Sequence, residues 1–164
     1  PHDSPMAMDY YIWVIRNKER TIIVDCGFGK DEGERRGRTY LRSPAEGLEF
    51  LGINPMEVED VIITHMHYDH VGNLGLFPKA RFHIQDTEMA YVTGRAMTHP
   101  ILRHSFVLSE VQEMVASGAI VGTETRKEAQ SNSVWPHTWR KWMTQMKRHL
   151  SASSSYRKSS NRRE

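Results

Sequence analysis

The apolar run Val61-Ile62-Ile63 opens directly into Thr64-His65-Met66-His67-Tyr68-Asp69-His70, which places four metal-ligating side chains within six residues. This pairing constrains the fold more than any other feature of the chain. The run must be a buried strand, and its end must open where several donors can converge. His65 and His67 are two apart, as are His67 and Asp69, so in a continuing strand they share a face. A turn at Tyr68 to His70 would swing Asp69 and His70 towards a neighbouring second point. The pattern predicts a metal site, with zinc as the expected ion, and hydrolytic chemistry. The carboxylate of Asp69 would also carry a proton from attacking water to a leaving group. A solvated polar turn is the bland alternative, and the His-X-His-X-Asp-His spacing followed by Gly72-Asn73 argues against it.

The flanking sequence alternates short β-rich runs with helical segments, which predicts an α/β fold. Tyr10 to Ile15 and Thr21 to Val24 read as a hairpin across the polar turn at 16–20. The second run stops at Asp25-Cys26-Gly27-Phe28-Gly29, where glycines permit a tight reversal. Lys30 to Thr39 reads as a charged loop, and Pro44 to Leu51 as a helix ended by Gly52. Asn54-Pro55-Met56-Glu57 supplies an N-cap and a first-turn proline for a short helical turn. Ala80 to Ile84 is another strand, after which Asp86 is expected to cap a helix through Tyr91. Ser109 and Gln112 form a capping-box pattern for a helix carrying Val111, Met114 and Val115, closed by Gly118.

At 164 residues and 38% hydrophobic, the chain can bury one core. Its formal charge of +2 hides an asymmetry. Residues 1–120 hold 12 Lys plus Arg against 17 Asp plus Glu, whereas residues 121–164 hold 10 against 3. A single cysteine, Cys26, excludes an internal disulfide and a cysteine-rich zinc module. It fits a reducing compartment, and with no signal-peptide pattern the expected location is the cytoplasm. No apolar stretch approaches the roughly 18 residues of a membrane span, so no membrane partner is expected. Other histidines (His83, His99 and His104) are scattered and read as surface or core. Met66, Tyr68 and Phe28 flank the ligand-bearing turns and fit either a pocket wall or the core. Asp25, at another strand end, can orient a ligand imidazole or simply cap its own turn.

The segment Thr64-His65-Met66-His67-Tyr68-Asp69-His70 with Val71-Gly72-Asn73 resembles the ligand motif of the metallo-β-lactamase superfamily. Ile23 to Gly29, Leu51 to Pro55, Phe77 to Phe82 and Glu88-Met89-Ala90-Tyr91 look like its N-acyl homoserine lactonase branch. The resemblance covers roughly residues 8 to 118. It implies an αββα sandwich holding two metal ions, usually zinc. By this resemblance His65 and His67 ligate the first ion, Asp69 and His70 the second, and Asp25 is the supporting aspartate. It further implies a quorum-quenching hydrolase in which metal-bound hydroxide opens the lactone ring of N-acyl homoserine lactones or related esters. The family also uses a third histidine, a bridging aspartate and a final histidine from its second half. The last aspartate here is Asp86, so the bridging position has no counterpart. His137, in Trp135-Pro136-His137-Thr138, is the candidate third histidine, although its neighbours do not match.

Beyond Gly122 the agreement between caps, turns and apolar faces ends. Trp135 to Leu150 reads as a basic helix, and Ser151 to Glu164 has the composition of a disordered tail. The expected organisation is residues 1–120 as the N-terminal half of a metallo-hydrolase domain and residues 121–164 as a divergent basic tail. The sandwich is thus expected to be incomplete, with one, two or no zinc ions bound. Three readings follow. The first is a metal-dependent hydrolase of small lactones or esters. The second is an inactive truncated or frame-shifted fragment that binds only metal or a partner subunit. The third is nucleic-acid binding through the basic tail, which rests on charge alone and is not expected. An uncovered sheet face would favour a homo-oligomer.

Overall fold

The computed structural model describes residues 8–123. The expectations for His137, for the basic helix and for the tail fall outside the described residues. The predicted hairpin is present as β1 (Trp13–Arg16) and β2 (Thr21–Val24), paired antiparallel from Trp13 opposite Val24 to Arg16 opposite Thr21. Its turn is closed by Asn17, whose side-chain oxygen accepts from the Glu19 and Arg20 amides. Then follow α1 (Lys30–Arg35), α2 (Pro44–Phe50), a 3-10 turn at Pro55–Glu57 and β3 (Asp60–Ile62). The ligand-type segment leads into α3 (Tyr68–Val71). After it come β4 (Arg81–Gln85), α4 (Asp86–Val92), α5 (Pro100–Arg103), α6 (Leu108–Ser117) and β5 (Ile120–Thr123).

The five strands form one mixed sheet in the order β1-β2-β3-β4-β5, with every pair after the hairpin parallel. The α/β class expected from the sequence holds, as a sheet flanked by helices. Parallel pairing needs crossovers, and the helical segments between strands supply them. The register places Val14, Ile23, Val61, Phe82 and Ile120 in one row across the sheet. This row packs into a core with Leu48 of α2, Val92 of α4 and Val111 and Met114 of α6, together with Phe77. Each of the fully buried side chains contributes about 1.5–3 kcal/mol by leaving water, and the partly buried Val14 and Ile120 less. The row Trp13, Val24, Ile62, His83 and Val121 faces the other way, on a face that also carries Asp60 and Arg81. Val24 and Ile62 are buried there, and Trp13 at the edge is exposed.

Several local expectations are corrected. Lys30 to Arg35 is helical rather than loop, because Asp31 and Glu32 fall in its first turn and Arg35 in its last. Glu32 also accepts from both Arg35 and Arg36, tying the turn together. The caps predicted at Asp86 and Ser109 do not form. Both residues lie inside their helices, whose N-caps are Gln85 and Val107 without side-chain cap bonds. Ser43 and Asn54, by contrast, accept from Ala45 and Met56 as N-caps should. Gly118 closes α6 in the left-handed region, at φ 62. Strand β5 was not anticipated.

Candidate functional site at the ends of β2 and β3

Two adjacent parallel strands deliver the site. Strand β2 ends at Asp25, which has φ 63 although it is not glycine. That left-handed conformation is tolerated by aspartate better than by most residues, and it turns the carboxylate towards the end of β3. There Asp25 accepts from the Thr64 amide at 2.8 Å and from the Thr64 hydroxyl at 2.8 and 3.0 Å. His70 Nδ1 lies 2.8 Å from the same carboxylate. The Cys26 amide donates to the His70 carbonyl and the Gly72 amide to the Gly27 carbonyl, joining the two loops main chain to main chain. Asn73 donates to the Cys26 carbonyl at 2.9 Å.

The structure brings His65, His67, Asp69 and His70 together. The His65 ring centroid is 3.9 Å from that of His70 and 4.4 Å from that of His67. His70 Nε2 lies 3.4 Å from Asp69 Oδ2. Burial opposes charge on His70, but hydrogen bonds to Asp25 and Asp69 outweigh it and lift its pKa to about 9. Burial pushes His65 and His67 down, and for His65 the neighbouring His70 and His67 act in the same direction. Burial would raise the Asp69 carboxyl, but the hydrogen bond with His70 holds it below its usual value. His70 thus stands between the acidic side chains of Asp25 and Asp69, with the His65 ring beside it and the His67 ring beside that.

A pH dependence follows. His70 titrates near 6.5 when unfolded and near 9 when folded, so its stabilising contribution is complete below pH 6.5 and is lost as pH rises through 9. Glu110 acts in the same sense. Burial lifts its pKa from 4.5 to about 8, with Glu32 adding to the effect and Arg36 partly offsetting it. Its Oε2 atom is buried without a hydrogen-bond partner. Unfolding by heat should become easier as pH rises from about 4.5, where Glu110 ionises only when unfolded, to about 9, where folded His70 loses its proton, and Glu110→Gln should restore on the order of 1 kcal/mol by pH 8. A Glu110→Gln melting curve that tracks wild type across this range would remove the carboxyl as a source.

The donor set does not fit a metal centre. His70 is paired with Asp25 at Nδ1 and with Asp69 at Nε2, which favours its protonated form, and ligation through Nε2 would require that proton to leave. Among the described residues no group of three or more His, Cys, Asp or Glu side chains is arranged to hold a metal ion. The expectation of a zinc-dependent, lactone-opening hydrolase is corrected on this ground, and with it the zinc and metal-binding assignments. Cys26 is wholly buried, and burial raises its thiol pKa, so it is packed rather than reactive.

The site's surroundings were less legible. Met66, Tyr68 and Phe28 are buried. Tyr68 stacks under Arg36, whose guanidinium lies 4.0 Å from the ring centroid, and its hydroxyl donates to that of Tyr10 at 3.2 Å. His83 takes the core alternative of its surface-or-core reading, buried 2.8 Å from Asp60 on the opposite sheet face. Sequence reasoning missed Glu88 and Ser105, which accept from the Met66 and Tyr68 amides across 22 and 37 residues of chain. Glu88 sits in the first turn of α4, and nothing in its local pattern points to so remote a partner.

Residues 8–111 match the model of the metallo-beta-lactamase superfamily. Among curated relatives, a probable metallo-hydrolase of Mycobacterium tuberculosis is 25% identical over 95 residues, covering 51% of this chain and 31% of that protein. A hydroxyacylglutathione hydrolase of Aeromonas hydrophila is 31% identical over 83 residues, covering 48% and 27%. An N-acyl homoserine lactonase of Azorhizobium caulinodans is 44% identical over 41 residues, covering 25% and 16%. The chain thus spans less than a third of the length of these relatives. Among solved structures, an N-acyl homoserine lactone hydrolase with its product bound superposes with a TM-score of 0.56 at 19% identity, covering 76% of this chain and 49% of that one. At that identity the likeness shows the fold alone. No helix among the described residues is long and apolar enough to cross a membrane. With its family model matched over residues 8–111 and its mixed sheet delivering the His-X-His-X-Asp-His turn, this chain belongs to the metallo-β-lactamase superfamily.

Proposed function

We propose that this chain is a catalytically inactive, metallo-hydrolase-derived unit that acts by associating with a partner subunit. Residues 1–120 are the N-terminal half of a metallo-hydrolase domain, and residues 121–164 a divergent basic segment. The observation that carries this reading is the donor geometry: among the described residues no three side chains are arranged to hold a metal ion. The exposed Tyr11 and Trp13, at and beside the edge strand β1, support association. The lineage we infer is the lactonase branch. The 44% identity to the Azorhizobium caulinodans lactonase over 41 residues supports it, and the hydroxyacylglutathione hydrolase match keeps a thioester-hydrolase ancestry in view. A cytoplasmic location is proposed on the single, buried, unpaired cysteine.

The test is zinc per chain by elemental analysis on purified, monodisperse protein, with His67→Ala as control and lactone ring opening followed in parallel. The expected result is substoichiometric zinc, unchanged by the substitution, and no ring opening. Close to two zinc ions per chain, reduced by His67→Ala, would overturn the reading.

A further inference from the structure

We infer that Glu88 is a positioning residue that holds His65 and His67 on one side of their turn without a metal. The turn is tied through its main chain at alternate residues, by groups from separate parts of the fold. Thr64 donates its amide to Asp25, Met66 to Glu88 at 2.8 Å, and Tyr68 to the Ser105 carbonyl at 2.9 Å. In extended backbone, successive residues point to opposite sides and alternate residues share one. Met66 is fully buried, so anchoring its amide fixes the side from which its two neighbours emerge. The His65 and His67 rings accordingly meet edge to face, with an interplanar angle of 73°. A metal would organise such a turn through its imidazoles. Here the organiser is a carboxylate from the first turn of α4, acting on the peptide between them.

The Glu88 bond also crosses layers. Residues 86–92 lead away from β4, whereas the turn leads away from β3, so this contact fixes the turn relative to the helix as well as the sheet. A partly buried amide bonded to a charged acceptor is among the stronger hydrogen bonds available to a loop.

This inference rests on the reading that no metal organises the turn, and its test separates the two. Amide exchange of the full chain would be followed residue by residue after treatment with EDTA and again with added zinc chloride. The Met66 amide should stay protected under chelation. Glu88→Ala should speed its exchange at least tenfold and abolish the through-space contact between the His65 and His67 rings. Glu88→Gln, whose side-chain oxygen can accept the same bond, should restore both. Loss of Met66 protection on chelating the wild-type protein would overturn the inference, as would full protection in Glu88→Ala or failure of Glu88→Gln to rescue. If Glu88→Ala does not fold, the chelated wild type and Glu88→Gln still decide. Binding of zinc with Met66 protected throughout would sink the inactive reading while leaving the role of Glu88 intact.

Discussion

Asp25→Ala is expected to lower the unfolding free energy by about 3–5 kcal/mol, as breaking a buried charged network does. Three donors converge on this carboxylate: the Thr64 amide, the Thr64 hydroxyl and the His70 ring. The residue is 4% exposed, so water cannot replace what the substitution removes. Alanine also has no side chain with which to favour the left-handed backbone that Asp25 adopts. Asp25→Asn tolerates that backbone and keeps an acceptor for the Thr64 amide, so its loss should be roughly half as large. Urea unfolding of the three proteins at pH 7 makes the comparison. An alanine variant within 1 kcal/mol of wild type would mean that the network contributes little.

Gly72→Ala should cost about 2–4 kcal/mol, for a different reason. A Cβ at this position would lie 2.7 Å from the Phe28 Cα, 3.0 Å from the Gly29 nitrogen and 3.1 Å from the Gly27 oxygen. All three are backbone atoms, so no rotamer change relieves the clash. The substitution would push the loop after β2 away from the loop after β3, stretching the Gly72 to Gly27 hydrogen bond. Gly75→Ala is the control. Its nearest neighbour would be the Glu113 carboxylate at 3.8 Å, an ordinary contact, and its effect should stay below about 1 kcal/mol. Equal melting temperatures for the two variants would show that the loop contact is soft.

The elements with internal punctuation were the legible ones. Asn17 and Asn54 announce their turns through short local hydrogen bonds, and Gly118 announces a helix end through its backbone freedom. Strand β5 carried no such signal. Ile120-Val121-Gly122-Thr123 is a strand because it lies beside β4, a long-range fact. The same distinction runs through the site. A motif shows which donors are close along the chain, but the direction of each lone pair is set by partners elsewhere. His70 reads as a ligand in sequence, yet in space both its nitrogens face carboxylates, and one of these, Asp25, lies 45 residues away. Glu88 and Ser105 were invisible for a related reason, since a backbone amide leaves no trace in residue identity.

The strand order has a consequence for how the chain builds itself. Because spatial order repeats chain order from β1 to β5, each strand pairs with one that precedes it directly in sequence. A chain emerging from the ribosome, N-terminus first, can therefore extend this sheet one edge at a time. Within the described residues no strand must hold a gap open for one not yet synthesised, and the growing edge always lies towards the C-terminus.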